Sequence, residues 1–182
     1  MTVADVALRG ERPGDVESVR DVVARSFGEA VVAELVAALR ASPDWLDLAF
    51  VAERDGEVIG YVAFTRSLLD APRRLVPVLV LSPVCVAPEH QGVGVGSALV
   101  RYGLAQVADS GEPLVFLEGN PAYYTRFGFG PGGPAGFRRP SIRIPEPAFQ
   151  ALKHRAYEPW MTGTLVYSRV FWDLDCVGLR DG

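Results

Sequence analysis

The stretch that decides the fold runs from Leu81 to Ser97 and reads LSPVCVAPEHQGVGVGS. Its first half is apolar and typical of a strand. Its second half carries a glycine at every second position of 92–96. A helix is predicted to begin near Gly96 and to continue to about Ser110. A strand, a glycine-rich turn and a helix in this order indicate a mixed α/β domain.

The glycine turn indicates a binding site for phosphate groups. Glycines let the backbone adopt positive φ and approach a ligand closely. The amide groups at the start of the following helix point outward and attract anions. The dinucleotide pattern G-x-G-x-x-G fails because, counted from Gly92, its last glycine is Ser97. The P-loop pattern fails as well, because no Gly-Lys-Ser/Thr follows.

The pattern that fits is Gln91-x-x-Gly94-x-Gly96. It resembles the acetyl-CoA motif of the GCN5-related N-acetyltransferases (GNAT), which is Gln/Arg-x-x-Gly-x-Gly/Ala. A second segment, FLEGNPAYYTRFGF over residues 116–129, resembles the later motif of that family. Tyr124 holds the position of the helix tyrosine there. The whole stretch is similar to the YhbS-like branch of predicted N-acetyltransferases.

This resemblance implies a fold and a cofactor. The implied fold is a strongly twisted mixed sheet with helices on both faces, in which two central parallel strands splay apart. The implied cosubstrate is acetyl-CoA, with its pantetheine arm bonded to backbone groups that the splay exposes. The implied cofactor-binding residues are Val84, Cys85, Val86, Gln91, Gly92, Val93, Gly94, Val95, Gly96, Ser97 and Asn120. Asn120 departs from the pattern, because it lies four residues before Tyr124 and many family members have an asparagine seven before.

Tyr124 is the predicted catalytic residue. When an amine attacks the thioester, a thiolate leaves, and a phenol within hydrogen-bond reach can protonate it. The alternative is that Tyr124 only packs. The candidates for a general base are Glu29, Glu34 and Glu118, or a chain of water molecules. Cys85 is interpreted as a buried apolar residue and not a nucleophile, because the sequence ties neither histidine to it.

The chain before the glycine turn predicts two helices and a hairpin. An amphipathic helix begins near Pro13 and is interrupted at Gly28, and a second helix covers 30–40. Asp55-Gly56 is a strong hairpin signal between apolar runs. The predicted strands of this half are 6–9, 48–53, 58–65 and 75–86. Prolines at positions 77 and 83 suggest that the last of these is irregular and partly edge-like.

The chain after the glycine turn is less regular. A buried strand is predicted at 114–118 and a short helix at 121–127. Late strands are predicted to pair at 137–144 and 164–171, with helical turns at 148–154 between them. We expect one N-acetyltransferase domain over residues 1–182, since this length suits a domain of ordinary size.

Composition narrows the classes of partner. The net charge of −4 argues against nucleic acid, although Arg138, Arg139 and Arg143 could form a local basic patch. Two distant cysteines predict neither a disulfide framework nor a metal site. No signal peptide and no membrane-spanning run is apparent, so we expect a cytoplasmic protein without a membrane partner.

The resulting prediction is an enzyme that transfers an acetyl group from acetyl-CoA to a primary amine. The amine attacks directly in a ternary complex, without a metal. The acceptor is a small-molecule amine or a protein N-terminal amine, and a homodimer is possible. Two alternatives stay open at this stage. One is a sensor that binds acyl-CoA without turnover, and the other is transfer to a hydroxyl or transfer of a longer acyl chain.

Overall fold

The computed structural model describes residues 5–179. The chain folds into two compact units. The first unit comprises Met1–Phe64 and Ser82–Val107, and the second comprises Thr65–Leu81 and Ala108–Gly182. Two long strands, β3 (Glu57–Asp70) and β4 (Leu75–Val86), contribute residues to both.

The first unit packs three helices with the strands in the order β1-β2-β3-β4. Its further elements are β1 (Ala7–Gly10), α1 (Val16–Phe27), α2 (Ala30–Arg40), β2 (Trp45–Arg54) and α3 (Val95–Val107). The predicted hairpin is confirmed, since Asp55 and Gly56 form a two-residue turn with φ of 51° and 82°. Positive φ at both positions is what a type I′ turn requires. The predicted break at Gly28 is also confirmed, because Gly28 caps α1 in the left-handed region.

The second unit is built around β5 (Leu114–Glu118), in the order β4-β5-β8-β6. β4 and β5 run parallel, whereas β5 and β8 run antiparallel. Its further elements are α4 (Pro121–Tyr124), β6 (Gly130–Pro131), β7 (Phe137–Arg138), β8 (Phe149–Lys153), β9 (Gly163–Val166) and α5 (Arg169–Asp173). The ring of Phe116 stacks on Phe149 and meets Phe137 edge-on, which gives this unit an aromatic core.

The prediction of helical turns at 148–154 is wrong. Phe149–Lys153 is strand β8, which pairs with all five residues of β5. Phe149, Gln150 and Ala151 are buried. Buried residues at consecutive positions suit a strand that is covered on both faces, and local sequence spacing does not reveal such a strand. The amide of Gln150 donates to Gly119 O at 3.0 Å, which explains how a polar residue is buried here.

The late strands pair as predicted but are shorter, and they run parallel. Phe137 lies opposite Gly163, and Arg138 lies opposite Thr164. The strand predicted over 164–171 ends at Val166, and α5 follows.

The prediction that β4 is partly edge-like is also wrong. This strand has β3 on one side and β5 on the other. Its registered pairs with β5 are Leu79 with Val115 and Val80 with Phe116. Pro77 and Pro83 fall outside these pairs, so their missing N–H groups remove no bond from the registered ladder. The mixed α/β class predicted from the sequence is confirmed. Within residues 5–179, no helix is long and apolar enough to cross a membrane.

Candidate active site

The glycine turn of the first unit has an exposed backbone. Gly92 and Gly94 have φ of 76° and 97°, which side chains of L residues rarely adopt. A Cβ atom built on Gly92 meets no heavy atom within 4 Å. At Gly92, glycine is therefore needed for conformation and not to relieve crowding.

The helix after the turn begins at Val95, one residue before the predicted start. Its first intrahelical bond runs from the amide of Ala98 to Gly94 O at 3.0 Å. Amides that precede this bond lie before the hydrogen-bond ladder, as at any helix start. Val95 is 1% exposed, which anchors the helix start in the core. The arrangement suits an anion bound at the exposed side of the turn.

Two side chains hold the last carbonyl of β4. The amide of Gln91 and the hydroxyl of Ser26 each donate to Val86 O at 2.9 Å. The Ser26 hydroxyl also lies 2.6 Å from Val22 O, so its single proton is shared between two acceptors. Gln91 therefore closes the turn onto the strand, and Ser26 ties α1 to the same point. Sequence reasoning missed Ser26, because a lone serine near the end of a helix carries no signal.

Cys85 lies beside this carbonyl and is 5% exposed. Burial raises the pKa of its thiol to about 12. A thiol with that pKa carries almost no thiolate at neutral pH, and the thiolate is the nucleophilic form. This agrees with the interpretation of Cys85 as a buried apolar residue.

In the second unit, Asn120 caps the short helix that carries Tyr124. Its Oδ1 accepts the amide of Ala122 at 2.9 Å, and Pro121 occupies the first helical position. A single 3-10 turn follows and ends at Gly128, whose φ is 92°. The predicted short helix and its end are thus confirmed. The contact of Asn120 with a cofactor stays a prediction, and Oδ1 already has a backbone partner.

Tyr124 is held in an aromatic cluster. Its ring meets Tyr123 edge-on at 4.9 Å between centroids and Phe129 at 6.0 Å. The ring also lies against Gly119, where no Cβ interferes. Burial raises the pKa of the phenol to about 12, so it is protonated at neutral pH. The side chain therefore keeps a hydrogen to donate.

Among the carboxylates considered as a general base, Glu118 has a defined partner. The phenol of Tyr167 donates to its Oε1 at 2.6 Å. Burial raises the pKa of Glu118, and the bond from Tyr167 opposes that effect. Successive side chains of a strand point to opposite faces of the sheet. Glu118 and the Tyr124 ring, which lies against Gly119, are therefore on different faces. Glu29 and Glu34 are exposed.

The predicted site residues thus fall into two groups. Residues 84–86 and 91–97 lie together in the first unit, and Asn120 and Tyr124 lie together in the second. Among residues 5–179, no cluster of three or more His, Cys, Asp or Glu side chains is arranged to hold a metal ion.

Comparison with known proteins identifies the family. The sequence model of the acetyltransferase (GNAT) domain matches residues 8–132. The uncharacterized N-acetyltransferase YjhQ of Escherichia coli K12 is 34% identical over 170 residues, which cover 91% of this chain and 87% of YjhQ.

Two crystal structures extend the likeness to the fold. The GNAT protein YhbS of Escherichia coli, solved in complex with CoA, has a TM-score of 0.81 and 32% identity, covering 92% of each chain. A GNAT acetyltransferase of Brucella melitensis, solved with acetyl-CoA, has a TM-score of 0.73 and 33% identity, covering 91% of this chain and 97% of its own. These matches confirm the predicted GNAT fold and the prediction of an acetyl-CoA-dependent N-acetyltransferase. The chain belongs to the GNAT family of acetyltransferases.

Proposed function

We propose that this protein transfers the acetyl group of acetyl-CoA to a primary amine by direct attack in a ternary complex. The observation that carries the proposal is the turn at residues 92–97, which presents an exposed backbone and a helix start to an anion. The pyrophosphate of CoA is the anion proposed to bind there. The CoA and acetyl-CoA bound to the two crystallised relatives support this assignment.

In this proposal the backbone of residues 84–86 bonds the pantetheine arm. Val86 O is already engaged by Gln91 and Ser26, so the strand end is fixed before the cofactor arrives. A site that is already ordered loses less conformational entropy when it binds. Gln91 thus acts as a positioning residue for the strand end, through a bond within the protein.

Tyr124 is proposed to assist the departing thiolate. Its pKa of about 12 lies well above that of an ordinary thiol, about 8.5. Complete proton transfer from the phenol to the thiolate is therefore uphill by roughly 5 kcal/mol. We infer that Tyr124 donates a hydrogen bond to the developing thiolate and retains its own proton. Such a bond to a charged group stabilises it by about 1.5–3 kcal/mol. A water molecule then protonates the thiolate.

The acceptor amine arrives mostly protonated and must lose a proton before it attacks. We propose that water accepts this proton, since Glu29 and Glu34 are exposed and Glu118 already accepts a hydrogen bond from Tyr167. Catalysis then rests mainly on positioning the free amine against the thioester.

A thermal-shift titration with acetyl-CoA tests the cofactor site. Acetyl-CoA should raise the Tm, because a ligand that binds the native state stabilises it by mass action. Gly94→Asp should abolish the shift, since it places a carboxylate beside the pyrophosphate. Gly111→Asp is the matched control, because Gly111 has a similar φ of 94° and is exposed like Gly94. An unchanged acetyl-CoA affinity in folded Gly94→Asp protein would contradict the proposal.

Release of CoA over a panel of primary amines then separates the enzyme from a sensor. An enzyme releases CoA continuously with at least one amine, whereas a sensor binds acetyl-CoA and releases none. Alcohols and longer acyl-CoA thioesters in the same assay test the two other chemistries.

A further inference from the structure

A cleft of about 370 Å³ in the second unit lies next to the strand that leads into α4. It is lined by Gly133, Phe137, Arg138, Arg139, Glu146 and Phe149. The two phenylalanines are buried and form an apolar wall that Phe116 backs. The other side chains are charged. An apolar wall with a few polar groups is the usual character of a small-molecule site.

The charges of this cleft are not neutralised from within the described part of the chain. Arg138 donates through Nε to the neutral hydroxyl of Thr164 at 2.9 Å. Arg139 is half-buried and makes no ion pair with a carboxylate of residues 5–179. Neither arginine pairs with Glu146, although all three line the same space. By contrast, the nearby Arg143 is paired with Asp175 at 2.8 Å.

An unpaired, half-buried guanidinium is suited to an oxyanion. Arginine presents a planar fork of donors that matches a carboxylate or a phosphate in two parallel bonds. Two guanidiniums and one carboxylate leave the cleft with a net positive charge. Glu146 lies close to the backbone of Gly133, where a Cβ would be 2.9 Å from its Oε1. Because its carboxylate is negatively charged and lines the cleft, Glu146 lowers the attraction of the cleft for anions.

The backbone at the cleft wall is bonded directly to the strand that leads to Tyr124. Phe149 pairs directly with Glu118, the last residue of β5. The next residue, Gly119, bonds to both chain neighbours of Phe149: its amide donates to Ala148 O, and its carbonyl accepts from the side-chain amide of Gln150. The ring of Tyr124 lies against the same glycine. One strand spacing, about 4.8 Å, separates the backbone at the cleft wall from the backbone that supports Tyr124. The Phe149 ring stacks on Phe116 and therefore lies on the face of Glu118, whereas the Tyr124 ring lies on the opposite face.

We propose that this cleft binds a carboxylate or phosphate group of the acceptor, so that the preferred acceptor is an amine that also carries an oxyanion. The inference rests on the proposed function and names the substrate class of the same enzyme. Arg139 and Arg138 hold the oxyanion, and the phenylalanine wall packs against the hydrocarbon part of the acceptor. The acceptors used in the test distinguish a carboxylate from a phosphate as the bound oxyanion.

The test compares anionic and neutral amines of the same skeleton. The pairs are 4-aminobutanoate with 4-aminobutanamide, for the carboxylate, and 2-aminoethyl phosphate with ethanolamine, for the phosphate. CoA release gives kcat/KM for each. Arg139→Gln should lower the ratio of kcat/KM for the anionic amine to kcat/KM for the neutral amine. We expect a decrease of about tenfold or more for at least one pair, the size expected for a charged hydrogen bond. Glu146→Gln should raise the same ratio.

Arg155→Gln is the control, because it removes one positive charge from an exposed turn of the same unit. It should leave the ratio within about twofold, the scale of a screened surface charge. Ratios that are unchanged in both Arg139→Gln and Glu146→Gln would overturn the proposal. The proposal would also be overturned if Arg139→Gln lost affinity for CoA but kept its affinity for dephospho-CoA. That result would assign the arginine to the phosphate of the cofactor.

A binding measurement keeps this test independent of turnover. Succinate and inorganic phosphate are titrated calorimetrically into CoA-saturated parent and Arg139→Gln protein. Weaker binding of either anion by the variant supports the cleft, and equal binding of both refutes it. If acetyl-CoA fails to bind at all, the proposed function fails, while the same titration on the CoA-free protein still decides whether the cleft binds anions.

Discussion

The ring of Tyr124 lies against the α-carbon of Gly119, in a space that no other residue type leaves open. A Cβ atom built on Gly119 would overlap the ring, at 2.8 Å from Cδ2 and closer still to Cε2. Separations under 3.0 Å force one of the two groups to move. The position of the phenol is therefore set by the absence of a side chain five residues earlier.

Gly119→Ala should displace Tyr124 and lower kcat at least as much as loss of the hydroxyl does. The measurement is kcat with any accepted amine, together with acetyl-CoA affinity. Gly130→Ala is the matched control, because Gly130 lies in the same unit, has no positive φ and meets nothing within 4 Å. Parent-like kcat in folded Gly119→Ala protein would mean that the position of Tyr124 does not limit catalysis.

Tyr124→Phe should reduce kcat by about tenfold to a hundredfold and leave acetyl-CoA affinity nearly unchanged. The ring and its packing persist, while the hydrogen bond to the thiolate is lost. Chemistry must limit the rate for this comparison, which single-turnover kinetics can establish. Equal kcat for both proteins under that condition would make Tyr124 a packing residue.

The pH profile offers a separate check of the same residue. The protonated phenol is the form that donates, and its pKa is about 12, so ionisation of Tyr124 lowers the rate only near that pH. The ratio of parent to Tyr124→Phe kcat should therefore stay constant up to about pH 10. A ratio that falls at lower pH would show that the phenol ionises more easily than its burial implies.

Cys85 should be inert in the folded protein. Its pKa of about 12 and its burial predict no reaction with iodoacetamide at pH 8. Cys176 is partly exposed and serves as the internal control, and denaturation should make both thiols reactive. Cys85→Ala should retain most of the turnover and lose about 1 kcal/mol or more of stability to the cavity. A stoichiometric acetyl group on Cys85 after incubation with acetyl-CoA would replace direct attack by a covalent mechanism.

Asp15 should make stability depend on pH. Its carboxylate accepts two bonds from Arg9, at 2.6 and 2.9 Å, and these are the main reason why its pKa is lowered on folding. A lowered folded pKa contributes stability that is present above the unfolded pKa, about 3.9, and is lost as pH falls through the folded pKa.

Asp15→Asn should therefore cost about 1–3 kcal/mol at pH 7. This difference should shrink steadily below about pH 4. Urea unfolding from pH 7 downward measures it, with the exposed Asp109→Asn as the control. If the difference in the free energy of unfolding between the two proteins did not change with pH, the ion pair would not be its cause.

Local features of this protein were determined by its sequence alone. Gly94 marks a turn that needs positive φ, Asp55-Gly56 a two-residue hairpin, and Pro121 the start of a short helix that Gly128 ends. Each of these depends on backbone sterics or on bonds that span a few residues. Such preferences act wherever the segment occurs, and so they can be predicted without the rest of the chain.

Interactions between distant segments were decided by the tertiary structure. Residues 149–153 form a strand because β5, more than 30 residues earlier, pairs with them and buries Gln150 on the carbonyl of Gly119. Ser26 reaches Val86 O across 60 residues, and within residues 5–179 Arg139 pairs with no carboxylate, although Glu146 lines the same cleft. The pKa of Tyr124 likewise depends on the groups that exclude water from its ring. Desolvation and strand pairing are properties of neighbours in space, and a pattern read along one segment contains no record of those neighbours.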